Sequence, residues 1–170
     1  MNRKSLLPLD WDFPEQFRRR LGTSVGHQRA LLADGHLLLV MHAPPIPDDT
    51  ERAGRYFWRD IDGVWKSNDH GDGIQAITLH LAEYADRIAA IDQQEEQATT
   101  ADDYFQVLDR LAPVYRAARH AHEVLQEARR LCPDDPGIVD VRNRAYAIER
   151  TAELLFNGAK NSLEFTVAKG

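Results

Sequence analysis

The sequence has a single cysteine, Cys132, and this scarcity excludes a disulfide framework within the chain. A lone thiol fits a reducing compartment. No apolar run approaches the roughly 18 residues that a membrane-spanning helix needs, and the N-terminus has no apolar stretch of signal-peptide length. We therefore predict a cytoplasmic protein.

Basic charge and catalytic motifs are also lacking. The chain has 21 Lys and Arg against 27 Asp and Glu, so its net charge of -6 offers no electrostatic footprint for nucleic acid. It has no P-loop, no dinucleotide fingerprint and no serine nucleophile elbow, and its seven histidines form no His-Glu-x-x-His pair. We predict a non-enzymatic protein with no catalytic residues, no metal site, no cofactor and no nucleic-acid partner.

What the sequence does contain is a change of hydrophobic period near residue 72. Before this point, short apolar runs alternate with Asp-Gly pairs, which is typical of β-hairpins. After it, apolar residues recur at spacings of three and four, which predicts amphipathic helices. We therefore predict an α+β fold, with a small β-rich subdomain over residues 1–72 and a long-helix bundle or stalk over residues 73–170.

The pair Asp34-Gly35 predicts the first hairpin. A type I′ turn needs positive φ at both central residues, and Asp-Gly is one of the pairs that adopt it readily. In the register that follows, Leu31 opposes Leu38 and Leu32 opposes Leu37. Since apolar side chains then occupy both faces, we expect the hairpin to be covered on both sides.

The pair Asp62-Gly63 predicts a second hairpin, between residues 55–61 and 64–67. The two hairpins together predict a four-stranded antiparallel sheet. Between them we expect an exposed connection over residues 43–52, where three prolines interrupt the strand pattern.

Two short elements are predicted before the sheet. A helix over residues 14–21 places Phe17 and Leu21 on one face, and Gly22 ends it. An added strand over residues 4–8 is an alternative for the N-terminal segment.

Three long antiparallel helices are predicted after the sheet. The first carries an apolar stripe with coiled-coil spacing, formed by Ile74, Ile77, Leu81, Tyr84, Ile88 and Ile91. The second begins at a cap in which Thr99 or Thr100 is followed by Asp102 or Asp103. Pro113 lies within this second helix and predicts a kink or a division.

The third helix is predicted over residues 137–168, with an N-cap at Asp135 and Pro136 at the first helical position. At a rise of 1.5 Å per residue such a helix is about 48 Å long. The sheet is too small to cover this length, so the helix packs on its neighbours, on another subunit or on something outside this chain. We therefore predict self-association or a partner helix.

Four residues of the second hairpin are candidate ligand-binding residues: Arg55, Trp58, Arg59 and Trp65. Aromatic rings beside arginines are typical of sites for a small anionic ligand or a peptide. The alternative is structural, because aromatic residues of a small sheet also form its core, and arginines on an acidic chain also form salt bridges.

Three segments of the helical part carry a family resemblance: Leu108-Asp-Arg-Leu-Ala-Pro-Val-Tyr-Arg116, then Pro133-Asp-Asp-Pro136, then Val139-Asp-Val-Arg-Asn-Arg-Ala-Tyr-Ala-Ile-Glu-Arg-Thr-Ala-Glu-Leu-Leu155. They resemble the cytosolic helices of CorA-like divalent-cation transporters, over residues 74–168. The resemblance implies a mixed α/β domain followed by long helices, the last of which is a stalk that enters the membrane.

The Gly-Met-Asn signature and the transmembrane pair of that family are absent from the sequence. The chain itself therefore cannot conduct ions. The resemblance implies either a fragment without its membrane part, at the cytoplasmic face of a membrane, or a stand-alone relative.

From the residues and the resemblance together, we expect a non-enzymatic cytosolic regulatory or assembly domain, similar to the soluble part of a CorA-like transporter. The alternative is a soluble binding module that takes a small anionic ligand or a peptide on the sheet face bearing the aromatic residues and arginines. A concave pocket lined by Trp58, Arg59 and Trp65 would favour the second hypothesis.

Overall fold

The computed structural model describes residues 7–22, 24–47 and 52–169 of the 170 in the chain. It confirms the α+β fold, since a short helix and a four-stranded sheet precede three long helices. The elements are α1 (Glu15–Leu21), β1 (Arg29–Ala33), β2 (His36–His42), β3 (Gly54–Arg59), β4 (Trp65–Ser67), α2 (Gln75–Gln97), α3 (Ala101–Leu131) and α4 (Pro136–Lys169). The strands pair antiparallel in the order β1-β2-β3-β4. Of the alternative strand over residues 4–8, residues 4–6 lie outside the described part, and residues 7 and 8 are not in a strand.

The first hairpin has the predicted turn and register. Asp34 and Gly35 have φ values of 52° and 81°, as a type I′ turn requires. Leu31 pairs with Leu38 across the two strands. The turn chemistry and the alternation of apolar residues therefore specify the same register.

The second hairpin forms, but its loop is longer than an Asp-Gly turn. Arg59 pairs with Trp65, so residues 60–64 form the loop. The carboxylate of Asp60 accepts hydrogen bonds of 2.9 Å from two backbone N–H groups of this loop. The register is therefore shifted by one residue relative to a two-residue turn at Asp62-Gly63, and such a shift moves the side chains of β4 to the opposite face of the sheet.

Both faces of the sheet are covered, as the two apolar faces of the first hairpin require. One face packs on α2, α3 and α4 through Leu37, Leu39, Met41, Phe57 and Trp65. The other face is covered by the segment before β1, which contributes Trp11, Phe13, Phe17, Leu21 and Val25. Side chains of the sheet and of the helices share one core, and the division of the chain into two subdomains at residue 72 stays a prediction.

The connection between β2 and β3 is only partly exposed, contrary to expectation. Pro44 and Pro45 are buried, whereas Ile46 is exposed. The carbonyl oxygen of Pro45 accepts a hydrogen bond of 2.6 Å from Nη1 of Arg87 in α2. Because a buried carbonyl group needs a donor, this bond holds the start of the connection against the bundle. Residues 48–51 of the connection lie outside the described part.

The ends of the long helices follow the predicted capping chemistry. Thr100 and Asp103 form a capping box at the start of α3, in which each side chain accepts a hydrogen bond from the other residue's backbone N–H. Pro113 lies inside α3 without dividing it. At the start of α4, the carboxylate of Asp135 accepts a hydrogen bond of 2.9 Å from the backbone N–H of Gly137.

The end of α4 is the least covered part of the bundle. Its buried residues are Ile138, Val141, Ala145, Ala152 and Ala159. Over residues 160–169 no side chain is buried. The last turns of α4 therefore extend beyond the core that α2 and α3 provide.

Candidate assembly surface and candidate ligand residues

The candidate arginines Arg55 and Arg59 both lie on the face of β3 that meets the helices, and each has an acidic partner there. The guanidinium group of Arg55 donates hydrogen bonds of 2.8 and 3.2 Å to the two carboxylate oxygens of Glu83 in α2. These bonds hold the pKa of Glu83 at about 2, below its ordinary value. Nε of Arg59 donates a bond of 2.9 Å to Asp135, just before α4. The charges of both arginines therefore join the sheet to the bundle.

The candidate tryptophans Trp58 and Trp65 are buried on opposite faces of the sheet, each with 5% of its surface exposed. Trp58 packs against Trp11, with the ring centroids 5.6 Å apart, and its indole N–H donates to Nδ1 of His36 at 3.1 Å. The structure thus brings Arg59 and Trp65 to one face and places Trp58 on the other. Ligand binding by the four candidate residues stays a prediction.

His80 of α2 is a buried titratable residue that the sequence analysis did not single out. Neither of its ring nitrogens has a hydrogen-bond partner among the described residues. Its ring lies 5.3 Å from that of Phe57, 6.3 Å from that of His70 and 5.5 Å from that of Tyr84, between centroids. Burial, reinforced by the charge of Arg55, lowers the pKa of His80 to about 3. The sequence could have indicated that His80 is buried, because it lies four residues before Tyr84 and therefore on the same face of α2.

A groove of about 550 Å³ lies between α2 and α4. Its walls are mainly apolar, with Ile88 and Ala89 from α2 and Ile148, Leu154 and Leu155 from α4. Small residues on both helices, Ala85 and Ala89 in α2 and Ala147 and Gly158 in α4, leave space for another helix to approach closely. The groove is therefore a candidate surface for contact with a helix.

The α4 wall of this groove continues as an exposed apolar stripe. Ala147, Leu154, Gly158 and Phe165 follow one another at spacings of seven, four and seven residues, so they share one face of α4. Leu154 is 55% exposed and Phe165 is 68% exposed. A Cβ atom added at Gly158 would meet no atom within 4 Å. We refer to these four residues as the α4 stripe.

Contrary to the expectation from sequence, one segment, Gly22-Thr-Ser24-Val-Gly26, does have the Gly-x-Ser-x-Gly spacing of a nucleophile elbow, but its structural context is different. An elbow joins a strand to the helix that follows it, whereas Ser24 lies after α1 and before β1. The segment therefore gives no support to serine catalysis.

Two further observations concern metal binding and membrane spanning. Within residues 7–22, 24–47 and 52–169, no three His, Cys, Asp or Glu side chains are grouped so as to hold a metal ion. Over the same residues, no helix combines the length and the hydrophobicity of a membrane span.

The fold consists of a small sheet, covered on both faces, and a bundle of long helices. This is the architecture that the CorA-like resemblance implies. A particular likeness follows from solved structures. The crystal structure of the ZntB cytoplasmic domain from Vibrio parahaemolyticus RIMD 2210633 has a TM-score of 0.72 and 10% sequence identity to this chain, over 93% of this chain and 79% of that one. The resemblance to the cytosolic domain of a CorA-like transporter is therefore confirmed at the level of the fold. No protein-family model and no curated protein matches the chain.

Proposed function

We propose that this chain is a non-enzymatic cytosolic domain of the CorA-like transporter type, which works as a regulatory or assembly module through its long helices. The observation that carries the proposal is the α4 stripe, whose residues Leu154 and Phe165 are exposed on a helix that extends beyond the core of the bundle. The likeness of the fold to the ZntB cytoplasmic domain supports it.

The physical reason is the free energy of burying these apolar side chains. Transfer of one Leu or Phe side chain from water to a packed interior is worth about 1.5–3 kcal/mol. The spacings of seven and four residues along the α4 stripe match a heptad repeat, with the polar Thr151 and Asn161 at the intervening positions, and Gly158 and Ala147 let a second helix approach closely. A second copy of α4 satisfies both requirements, so the module self-associates through this face.

The regulatory part of the role follows from where the contact lies. In a CorA-like transporter the corresponding long helix is a stalk that continues into the membrane. Contacts between copies along the α4 stripe would therefore bias the arrangement of the membrane segments at the cytoplasmic face.

Native mass spectrometry of the chain over a range of concentrations tests this role. We expect masses that are multiples of the monomer, with the larger species gaining population as the concentration rises. A monomer at every concentration would contradict the proposal. The sequence encoded after Gly170 separates the two forms of the proposal: two apolar stretches of about 20 residues indicate a transporter, and their absence indicates a stand-alone relative.

A further inference from the structure

A second surface feature is a pocket of about 510 Å³ between the connection after β2 and the helices α2 and α3. Its charged lining residues are Arg52, Arg87, Arg110 and Asp109. Most of the remaining wall consists of proline and isoleucine side chains, including Pro113. Leaving Arg52 aside, Arg87 and Arg110 face a single lining carboxylate, Asp109, so on a chain of net charge -6 the pocket has a local surplus of positive charge.

The two helical arginines of this pocket are held by neutral acceptors. Nη1 of Arg87 donates to the carbonyl oxygen of Pro45 at 2.6 Å, and Nη1 of Arg110 donates to the side-chain oxygen of Gln94. Neither arginine forms a salt bridge with a carboxylate in the described part of the chain. They differ in this from the two arginines of β3, whose charges are matched by Glu83 and Asp135.

We propose that this pocket binds a small phosphate-bearing anion. A guanidinium group presents five N–H donors in a planar fork that matches the oxygens of phosphate, and the bonds to Pro45 and Gln94 orient Arg87 and Arg110 without neutralising them. The volume lies within the roughly 300–1,000 Å³ of small-molecule sites. The proline and isoleucine side chains offer an apolar wall to the rest of such a molecule.

Besides Asp109, the chain itself contains a further source of negative charge that could compete with an added anion. Asp48, Asp49 and Glu51 directly precede Arg52 in the sequence. An experiment must therefore distinguish an added anion from these carboxylates.

Isothermal titration of the full chain with inorganic phosphate, at low ionic strength and about pH 8, tests the proposal. We expect saturable binding that sulfate, also a tetrahedral dianion, competes for. Arg110→Gln should raise the dissociation constant about tenfold, which is about 1.4 kcal/mol. Asp109→Asn should lower it, because the variant removes the carboxylate from the pocket. Arg110 is exposed, so its replacement leaves the fold intact, which circular dichroism checks.

The matched control is Arg116→Gln, which removes the same charge from an exposed position of α3 outside the pocket. Unchanged affinity in this variant supports the proposal, whereas weakening equal to that of Arg110→Gln would overturn it in favour of non-specific attraction. Absence of saturable binding would also overturn it. So would binding that appears only after Asp48, Asp49 and Glu51 are replaced by amides, because the arginines would then serve the chain's own carboxylates. The pocket does not include the α4 stripe, so this result and the test of self-association are independent.

Discussion

The guanidinium group of Arg55 and the carboxylate of Glu83 form a bidentate pair, at 2.8 and 3.2 Å, between β3 and α2. The side chain of Arg55 is only 11% exposed, whereas that of Glu83 is 39% exposed. A guanidinium group that is buried to this degree needs an anionic partner. The pair therefore fixes how the sheet meets the helical bundle.

Replacement of Glu83 by glutamine should destabilise the fold. Glu83→Gln leaves the buried charge of Arg55 without its main partner, and we expect a loss of about 1–2 kcal/mol, a range that allows for the partial exposure of Glu83. Urea denaturation at neutral pH measures it. The matched control is Glu153→Gln: the side chain of Glu153 is 37% exposed, close to that of Glu83, but its partner Arg150 is 52% exposed, so the variant should have no measurable effect. Equal effects of the two variants would contradict the role of the Arg55–Glu83 pair.

His80 should make stability depend on pH. Its pKa in the folded chain is about 3, below the ordinary 6.5, so below pH 6.5 the unfolded chain binds a proton that the folded chain does not. The free energy of unfolding therefore falls as the pH falls, by up to about 1.4 kcal/mol per pH unit from this residue. Between pH 6.5 and about 5, Glu83 adds little, because the ordinary pKa of a glutamate, 4.5, lies below that window.

The variant His80→Leu isolates this contribution. We expect the variant to lose about 1–2 kcal/mol less stability than the wild type between pH 6.5 and 5, measured by urea denaturation at several pH values. His27→Gln, at an exposed position, serves as the control and should keep the wild-type pH dependence. If His80→Leu and the wild type have the same pH dependence, the buried neutral histidine does not act as described.

Asp135 should stabilise the fold through two separate contacts. Its Oδ1 caps α4 through Gly137, and its Oδ2 pairs with Arg59. Asp135→Ala removes both contacts and should lower the free energy of unfolding by about 2 kcal/mol, whereas Asp135→Asn keeps an oxygen for the cap and should lower it by about 1 kcal/mol. Thermal unfolding of both variants measures the difference. Equal losses in the two variants would show that the cap adds nothing, and no loss in Asp135→Asn would show that the bond to Arg59 adds nothing.

Local chemistry explains the parts of the fold that the sequence predicts well. Asp34-Gly35 supplies both positive φ values of a type I′ turn, and the alternation around it specifies the same register. Thr100 and Asp103 start α3 through contacts three residues apart. Features of this kind depend on neighbours in the chain, so a single sequence contains the information that they need.

The arrangement of the four candidate ligand residues could not be predicted in the same way, because it depends on contacts between residues that are far apart in the sequence. A two-residue turn at Asp62-Gly63 would place Trp65 on the same face as Trp58, but Asp60 lengthens the loop and moves Trp65 to the opposite face. Glu83, the main partner of Arg55, lies 28 residues away in another element. Periodicity predicts that α2 and β3 exist, but not which charged residues meet when they pack.

The proposed function rests on contact between copies of this chain along the α4 stripe. Sedimentation equilibrium of the wild type, of Leu154→Glu and of Leu79→Glu tests it most directly, because Leu79 is a similarly exposed leucine of α2 outside the groove. A buried glutamate at the contact should weaken association at least tenfold, since it forfeits the burial of a leucine and adds a charge that must lose its water. We predict that the wild type and Leu79→Glu associate and that Leu154→Glu is monomeric at the same concentration. A monomeric wild type, or association of Leu154→Glu as strong as that of Leu79→Glu, would contradict the account.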